Sequence, residues 1–242
     1  MTSSKKSILN SNLTYVIAFV LPLIMMAALY YTREIFPWGS DCYLRSDMYH
    51  QYAPFFSELW HKIRNGESLT YSWDIGMGTN FTSLYAYYLA SPANWFIVLF
   101  PQKYMIEIMN SLIILKIAGS SLAITYYITR HFDTKNCVAA LFGMFYGMSG
   151  FIAAYSWNIM WLDCVMILPL VVLGFERMMR TGKFLTYVLS LAYALYANYY
   201  IGFMICLFMV LYYAVYFLRK RREAGRQAKS FLRFVVGSAL GG

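Results

Sequence analysis

The sequence predicts an all-α fold, a polytopic bundle of membrane-spanning helices. Of the 242 residues, 60% are hydrophobic and only 13% are charged, a balance that a water-soluble domain of this length does not reach. Several apolar windows of about 20 residues are long enough to cross the hydrocarbon layer of a bilayer as helices. Helices are also the form that pairs every backbone polar group within one segment, as a lipid environment demands.

The first apolar window predicts a span over residues 13–31, and Lys5 and Lys6 place its N-terminal end in the cytoplasm. A long polar loop follows over residues 32–80. The next apolar stretch, residues 81–100, is interrupted by a proline and an asparagine. It fits either a full span or a segment that enters the membrane surface without crossing.

Basic residues decide between these alternatives. If residues 81–100 do not cross, fourteen of the 20 Lys and Arg residues lie on the cytoplasmic side, as the positive-inside rule expects. They form clusters at span ends: Lys5-Lys6, Arg130 to Lys135, Arg177 to Lys183, and Arg219 to Arg222 with Arg226, Lys229 and Arg233. We therefore expect residues 32–103 to form one extracytoplasmic loop with helices at the membrane interface.

The remaining apolar windows predict spans over residues 104–129, 137–155 and 159–175. The run over residues 184–218 is too long for one crossing, and we divide it near Asn198 into two short helices that turn at the outer face. A new apolar run begins near the end of the chain. Residues 1–242 are therefore expected to be the N-terminal part of a longer transmembrane domain.

One amphipathic helix is predicted within the loop, from Ser46 to Asn65, with Ser46 as its cap, a break at Pro54 and an end at Gly66. Its apolar face carries Met48, Tyr52, Phe55, Leu59 and Ile63. Its polar face carries Asp47, His50, Gln51, Glu58 and His61. Because apolar and charged faces alternate at helical spacing, we expect this helix to lie along the outer membrane surface.

Asp47 and His50 bring a carboxylate and an imidazole about one turn apart, which suits a general base with an orienting partner, or part of a metal site. Polar residues that merely face water are the commoner explanation of such a pair. A second polar group contains Trp73 and Asp74, followed by glycines that allow tight turns. It lacks the spacing of a phosphate-binding loop.

A third polar group, Asn158 to Asp163, lies at a predicted outward turn and includes Trp161. Asp163 and the mid-span residue Lys116 are functional candidates because an ionisable group in lipid is costly. A mutual structural pairing explains them equally well. Asn198 and Tyr199 add polar groups at another outward turn, although tyrosines there commonly anchor the membrane interface.

Several function classes lack support in the sequence. No motif of a soluble serine hydrolase, zinc protease or nucleotide-binding enzyme occurs. The net charge of +9 indicates membrane topology rather than a nucleic-acid partner, because its basic residues lie at span ends. Neither cysteine nor histidine spacing indicates a metal site, and a divalent cation stays an open alternative.

Ordered motifs in the sequence resemble the bacterial YfhO-like membrane proteins. These motifs are Ser46-Asp47-Met48-Tyr49-His50-Gln51-Tyr52-Ala53-Pro54-Phe55-Phe56, Tyr71-Ser72-Trp73 with Gly76 and Gly78, Tyr87 to Asn94, Asn158 to Asp163 with Leu168-Pro169-Leu170, and Asn198 to Gly202. They occur in the same order and cover nearly the whole chain. The resemblance implies a membrane glycosyltransferase of the GT-C type, active at the outer face of the bacterial cell membrane.

Such enzymes take a sugar from a polyprenyl-phosphate carrier, and for YfhO-like proteins the implied acceptor is a cell-wall polymer such as lipoteichoic acid. The resemblance assigns Asp47 as the general base, with Asp41 as the second choice. The resemblance implies that His50, Gln51, Asn158 and Asp163 line the sugar pocket, and the further candidate substrate-binding residues are Trp73, Asp74, Lys116, Trp161, Asn198 and Tyr199. The alternatives are a transporter of a lipid or a lipid-linked sugar, which Lys116 and Asp163 favour, and a structural assembly factor.

Overall fold

The fold is all-α, as predicted. A computed structural model describes residues 2–134, 136–219 and 224–242, and the side chains within residues 12–134, 136–219 and 228–242. The basic residues Lys135, Lys220, Arg221 and Arg222 of the topology prediction lie outside the described residues, as do the side chains of Lys5, Lys6 and Arg226.

Helices of 6 to 31 residues form the body of the molecule. They are α1 (Thr2–Thr32), α4 (Met105–His131), α5 (Val138–Gly147), α6 (Gly150–Tyr155), α7 (Ile159–Thr181), α8 (Leu185–Ala197), α9 (Tyr199–Arg219) and α10 (Ala224–Gly241). In the part of the chain that the structure describes, five helical segments are long and apolar enough to cross a membrane. These are Asn12–Thr32, Gln102–His131, Val138–Tyr155, Ile159–Thr181 and Tyr199–Arg219.

Short elements fill the loop between α1 and α4. They are a π-helix (Met48–Tyr52) that continues into α2 (Ala53–Asn65), the paired strands β1 (Tyr71–Ser72) and β2 (Thr79–Asn80), α3 (Phe81–Leu84), a second π-helix (Tyr85–Leu89), and 3-10 helices (Pro92–Leu99 and Gln102–Tyr104). The strands pair antiparallel, with Tyr71 opposite Asn80. Gly76 and Gly78, both with positive φ, make the turn between them, as the glycine spacing predicts.

Two buried clusters hold these elements together. In the first, the loop residues Met48, Tyr52, Phe56 and Leu59 pack with residues of α4 such as Met109. The second cluster joins α7 to α10 around the fully buried Phe175 of α7 and Tyr187 of α8. The loop therefore packs against the transmembrane helices as part of the same core.

The segment over residues 81–100 does not form one of the candidate spans. Its eight-residue 3-10 helix, Pro92–Leu99, covers only about 16 Å at a rise of ~2.0 Å per residue, short of the ~30 Å that a crossing needs. The expected break of residues 184–218 at Asn198 is confirmed. However, α9 has 21 residues and is therefore long enough to span, so the prediction of two short helices is wrong for its second half.

Two details of the amphipathic helix differ between the sequence prediction and the structure. The helix begins at Met48 after Asp47, and Ser46 makes no cap because its backbone has a φ of 47°. Glu58 is 7% exposed instead of facing water, because Lys62 of the next turn and Ser72 of the hairpin bond its carboxylate. Gly66 ends the helix in the left-handed conformation, as predicted.

Candidate functional site

A hydrogen bond between two buried side chains joins the loop to the start of α7. The Tyr52 hydroxyl donates to Asn158 Oδ1 over 3.0 Å, and these residues are 1% and 4% exposed. Tyr52 reaches this position because the π-helix turns it toward the core with Met48. Asn158 ends the short connection before α7, so the contact fixes the loop helix over the N-terminal end of α7.

An aromatic row extends from this contact toward the turn between α8 and α9. The rings of Tyr52 and Tyr88 meet edge to face with centroids 5.6 Å apart, and those of Tyr88 and Tyr87 with centroids 4.7 Å apart. Tyr87 then contacts Tyr199, with centroids 5.6 Å apart. Tyr199 itself is 55% exposed. Such a row of rings places apolar ring faces beside polar hydroxyl groups.

Asp47 is half-buried beside this row. It precedes the π-helix as the N-cap residue, and its carboxylate makes no capping hydrogen bond. Burial raises the pKa of the hydroxyls of Tyr52 and Tyr88, and neighbouring tyrosines and the charge of Asp47 raise them further. Asp47 therefore lies close enough to both tyrosines for its charge to act on them, while its carboxylate stays available as an acceptor.

Asn198 connects the same region to the transmembrane helices. It is fully buried, its Oδ1 accepts from the backbone N–H of Ile201 over 2.9 Å, and its Nδ2 donates to the Tyr87 carbonyl over 3.1 Å. The first bond caps the start of α9, and the second holds the aromatic row in place. Both polar atoms of the Asn198 side-chain amide therefore form hydrogen bonds within the protein.

Beneath the row, Asp163 lies in a closed polar network. Its Oδ2 accepts from Lys116 Nζ over 2.5 Å, and its Oδ1 accepts from the Ser91 hydroxyl over 2.9 Å and from the Tyr193 hydroxyl over 2.8 Å. Lys116 also donates to the Ile159 carbonyl over 3.1 Å. Lys116 and Asp163 were explained either by a function or by a mutual structural pairing. The contacts support the pairing. The network ties residues 81–100 to three helices.

Trp73 and Asp74 occupy the hairpin, away from this network. The hairpin is held by Glu58, which accepts from the Ser72 hydroxyl over 2.5 Å, and by Lys62, which donates to the Tyr71 carbonyl over 2.9 Å. Trp73 is 76% exposed and its ring contacts Tyr71, while Asp74 is exposed. Their assignment to the substrate site stays a prediction.

The other sequence candidates divide into surface and enclosed positions. Asp41 is exposed, and its backbone pairs with Glu34 and Phe36 in a separate turn after α1. His50 is exposed and Gln51 is half-buried on the loop helix beside Asp47. Trp161 is half-buried, and its Nε1 is enclosed without a partner among the described residues. The structure thus brings Asp47, His50, Gln51, Asn158, Asn198 and Tyr199 to one end of the bundle.

Three hydrogen-bonding residues of these networks were not predicted from the sequence: Ser91, Tyr193 and Tyr52. Each meets its partner across a large sequence separation, 72 residues for Ser91 and Asp163, so local spacing carries no signal of the contact. Only the Ser91-Pro92 interruption marked its segment as unusual. Among the described residues, no group of three or more His, Cys, Asp or Glu side chains is arranged to hold a metal ion.

Comparison with known families supports the resemblance. The family described as "Bacterial membrane protein YfhO" matches residues 18–242. No curated protein and no solved structure matches the chain. Since the family match runs from within α1 to the end of α10 and includes the loop that carries Asp47, the chain belongs to the YfhO family of bacterial membrane proteins.

Proposed function

We propose that the protein is a membrane glycosyltransferase of the GT-C type. It moves a sugar from a polyprenyl-phosphate-linked donor to an extracytoplasmic cell-wall polymer such as lipoteichoic acid. Membership of the YfhO family supports this reaction class through the resemblance, and the position of Asp47 carries the chemistry. This carboxylate is half-buried, free of capping bonds and beside an aromatic row at one end of the bundle.

In the proposed reaction Asp47 acts as general base on the acceptor. The carboxylate takes the proton of an acceptor hydroxyl as that oxygen bonds to the anomeric carbon of the donor sugar. The bond from the anomeric carbon to the phosphate oxygen breaks at the same time, and polyprenyl phosphate leaves from the opposite face. A single positioned carboxylate therefore suffices for an inverting transfer.

The surrounding residues suit the recognition of a sugar. Asn158 uses its Oδ1 for Tyr52, which fixes the orientation of the amide and leaves Nδ2 as a donor for a sugar hydroxyl. His50 and Gln51 extend from the same helix as Asp47, and Tyr199 adds an exposed ring at the far end of the row. Lys116 and Asp163 act in this proposal as positioning residues, because their contacts hold Ser91 and the segment below the site.

The proposed sidedness follows from the basic residues. The described cations Arg130, Arg177, Arg180 and Arg219 lie at or near the ends of α4, α7 and α9, at the opposite end of these helices from Asn158 and the loop. With these ends in the cytoplasm, the N-terminus is cytoplasmic and Asp47 faces the exterior of the cell. Lipid-linked sugars for wall polymers are used on that exterior side.

The test is polymer glycosylation by Asp47→Asn in the whole protein. We expect a loss of about 10²- to 10⁴-fold in sugar transfer at the wild-type protein level, because the amide cannot accept the proton. Asp41→Asn is the matched control: it changes an exposed carboxylate of the same loop and is expected to retain transfer. Activity retained by Asp47→Asn but lost in Asp41→Asn would move the role of base to Asp41.

Transport of a lipid-linked sugar is the second candidate, and the buried ion pair is the observation that favours it. A transporter predicts that carrier-linked sugar crosses the bilayer when the protein alone is reconstituted in vesicles. A transferase instead consumes donor that is already outside. Because protein groups already bond both oxygens of Asp163, the contacts favour a positioning role and hence the transferase.

A further inference from the structure

An apolar groove separates α9 from α10, at the opposite end of the bundle from Asp47. Both helices pack against α7 and α8, and the groove, with a volume of about 590 Å³, follows the space between them. This volume lies within the range of small-molecule sites, ~300–1,000 Å³. The lining residues are Val210, Tyr213, Ala214, Phe217 and Leu218 of α9, with Ala228 and Phe231 of α10.

Tyr213 is the most buried of the lining residues and forms the floor of the groove. Its ring stacks on that of Phe234 with centroids 4.6 Å apart. The rings of Phe217 on α9 and Phe231 on α10 lie with centroids 6.1 and 6.3 Å from that of Tyr213. Phe231 is 57% exposed, and the α9 side of the groove belongs to a candidate membrane span. The groove is therefore an apolar surface with a packed floor, open to the acyl chains of the bilayer.

The helices α9 and α10 run antiparallel. Gly202, early in α9, and Gly242, just after α10, both lie beside Leu195 of α8. Tyr213, later in α9, stacks on Phe234, which comes earlier in the chain than Gly242. The groove therefore leads from the stacked rings toward the last residue of α9 and the first turns of α10.

Two exposed cations, Arg219 and Lys229, lie at this end of the groove, and each directly follows a lining residue in the chain. Arg219 comes six residues after Tyr213, and Lys229 comes five residues before Phe234. At ~1.5 Å per residue they lie about 9 Å and about 7.5 Å beyond the stacked rings, in the same direction. Neither forms an ion pair with a described residue. The connecting sequence, residues 220–223, adds three basic residues and one acid, so a negatively charged head group complements this end.

We propose that the groove binds an anionic phospholipid such as phosphatidylglycerol. One acyl chain lies along Tyr213 between Phe217 and Phe231, and the phosphate accepts hydrogen bonds from Arg219 and Lys229. The apolar lining accepts the chain of any membrane lipid, so the two cations select the occupant: they favour a head group with a net negative charge over a zwitterionic one. This site lies at the opposite end of the bundle from the proposed transfer site, and it does not rest on sugar transfer.

Photo-crosslinking of the whole protein in nanodiscs of unlabelled phosphatidylcholine tests the proposal. Phosphatidylglycerol and phosphatidylcholine with the same diazirine-labelled acyl chain are compared at equal, low fractions. Each cation near a membrane surface favours an anionic lipid by a factor of about five. We therefore expect phosphatidylglycerol to label Tyr213, Phe217 and Phe231 at least about tenfold more, as read by mass spectrometry. Equal labelling by both lipids overturns the proposal, and so does the absence of labelling, because another segment then fills the groove.

Charge variants test the head-group site. Arg219→Gln with Lys229→Gln should lower phosphatidylglycerol labelling to the level of phosphatidylcholine, whereas Arg219→Lys with Lys229→Arg keeps both charges and should keep the preference. Arg130→Gln with Arg177→Gln is the matched control, because these cations are exposed at the same end of the bundle and do not line the groove. An equal loss of preference in this control assigns the selection to the overall charge of that end and overturns the proposal.

A filling variant tests the acyl-chain site. Ala214→Trp places an indole in the groove and should lower labelling by both lipids about tenfold. Leu207→Trp is its control, because Leu207 is 52% exposed on α9 and is not among the lining residues. Labelling that survives Ala214→Trp unchanged places the acyl chain outside the groove and contradicts the proposal.

Discussion

Asp163 shows how this chain keeps a carboxylate inside an apolar bundle. It is fully buried, and Lys116 is 3% exposed, so water solvates neither charge. An isolated ion at such a depth is costly, and the cost is offset only when the counter-charge and further donors are all in place. Ser91 and Tyr193 supply these donors from two separate segments. The ion pair therefore makes the position of residues 81–100 depend on α4, α7 and α8.

Single and double substitutions of this pair are expected to differ in the size of their effect on stability. Lys116→Met or Asp163→Leu alone leaves one buried charge unpaired and should lower the free energy of unfolding by about 3–5 kcal/mol. The double variant removes both charges and should recover most of that loss. Unfolding of the purified protein in mixed micelles measures all three. Additive losses in the double variant contradict the pairing.

At this scale the sequence predicted part of the buried polar network. Lys116 and Asp163 stood out because ionisable residues in an apolar window are conspicuous, and their pairing was one of two alternatives. Glu58 was predicted to face water, and the structure buries it. Helical spacing shows which residues share one face of a helix, but it does not show which other segment packs on that face. The hairpin that brings Ser72 to Glu58 depends on two glycines with positive φ and a register that local spacing does not give.

The bond from Tyr52 to Asn158 joins the loop helix to the start of α7. Tyr52→Phe removes the donor and leaves Asn158 Oδ1 buried without a partner, which should cost about 1–3 kcal/mol. Faster amide hydrogen exchange over residues 48–65 measures the loosening. Tyr49→Phe is the matched control, since Tyr49 is 65% exposed on the same helix and should change exchange little.

Close packing of α7 against α8 depends on Gly174. A Cβ atom at this position would lie 2.6 Å from the backbone nitrogen of Tyr187 and 2.7 Å from its Cα, and neither backbone atom moves without the helix. Gly174→Ala is therefore expected to lower the free energy of unfolding by about 1–3 kcal/mol. Gly150→Ala is the control, because a Cβ there meets nothing within 4 Å. Equal stability of both variants contradicts this packing.

The sequence predicts the boundary between two helices correctly where an apolar run has a clear interruption. The break at Asn198 is confirmed because a run of that length cannot cross once, and the asparagine caps α9. The irregular helices between Tyr85 and Leu99 were not predicted in detail. Their form follows from contacts with Asp163 and Asn198, which lie far away in sequence.

The whole molecule has two distinct ends. Asn158, Asn198 and the loop meet at one end. The other end contains the start of α1 and the end of α4, since Tyr15 and Thr129 are hydrogen-bonded over 2.9 Å. Arg130 lies at that second end. Residues 81–100 stay with the loop because Ser91 reaches Asp163 from there. The number of crossings, and hence the sidedness of every later helix, depends on this segment.

Two native cysteines report on this arrangement. Cys42 is exposed in the turn after α1, at the same end of the bundle as the loop. Cys137 is exposed just after α4, at the opposite end of the bundle. If residues 81–100 do not cross, these thiols face opposite sides of the membrane. A membrane-impermeant maleimide applied to intact cells should then label Cys42 and spare Cys137, and lysis should expose Cys137 to the reagent.

Cys42→Ser and Cys137→Ser assign each signal, and the other two cysteines add little background. Cys164 is buried, and Cys206 is partly covered within a candidate span. Labelling of both Cys42 and Cys137 in intact cells means that residues 81–100 cross the membrane. The basic ends of α4 and α7 then face outward, and Asp47 and the start of α7 cannot share one exterior site. Labelling of Cys42 alone leaves Asp47 and Asn158 open to the compartment in which the proposed polymer acceptor lies.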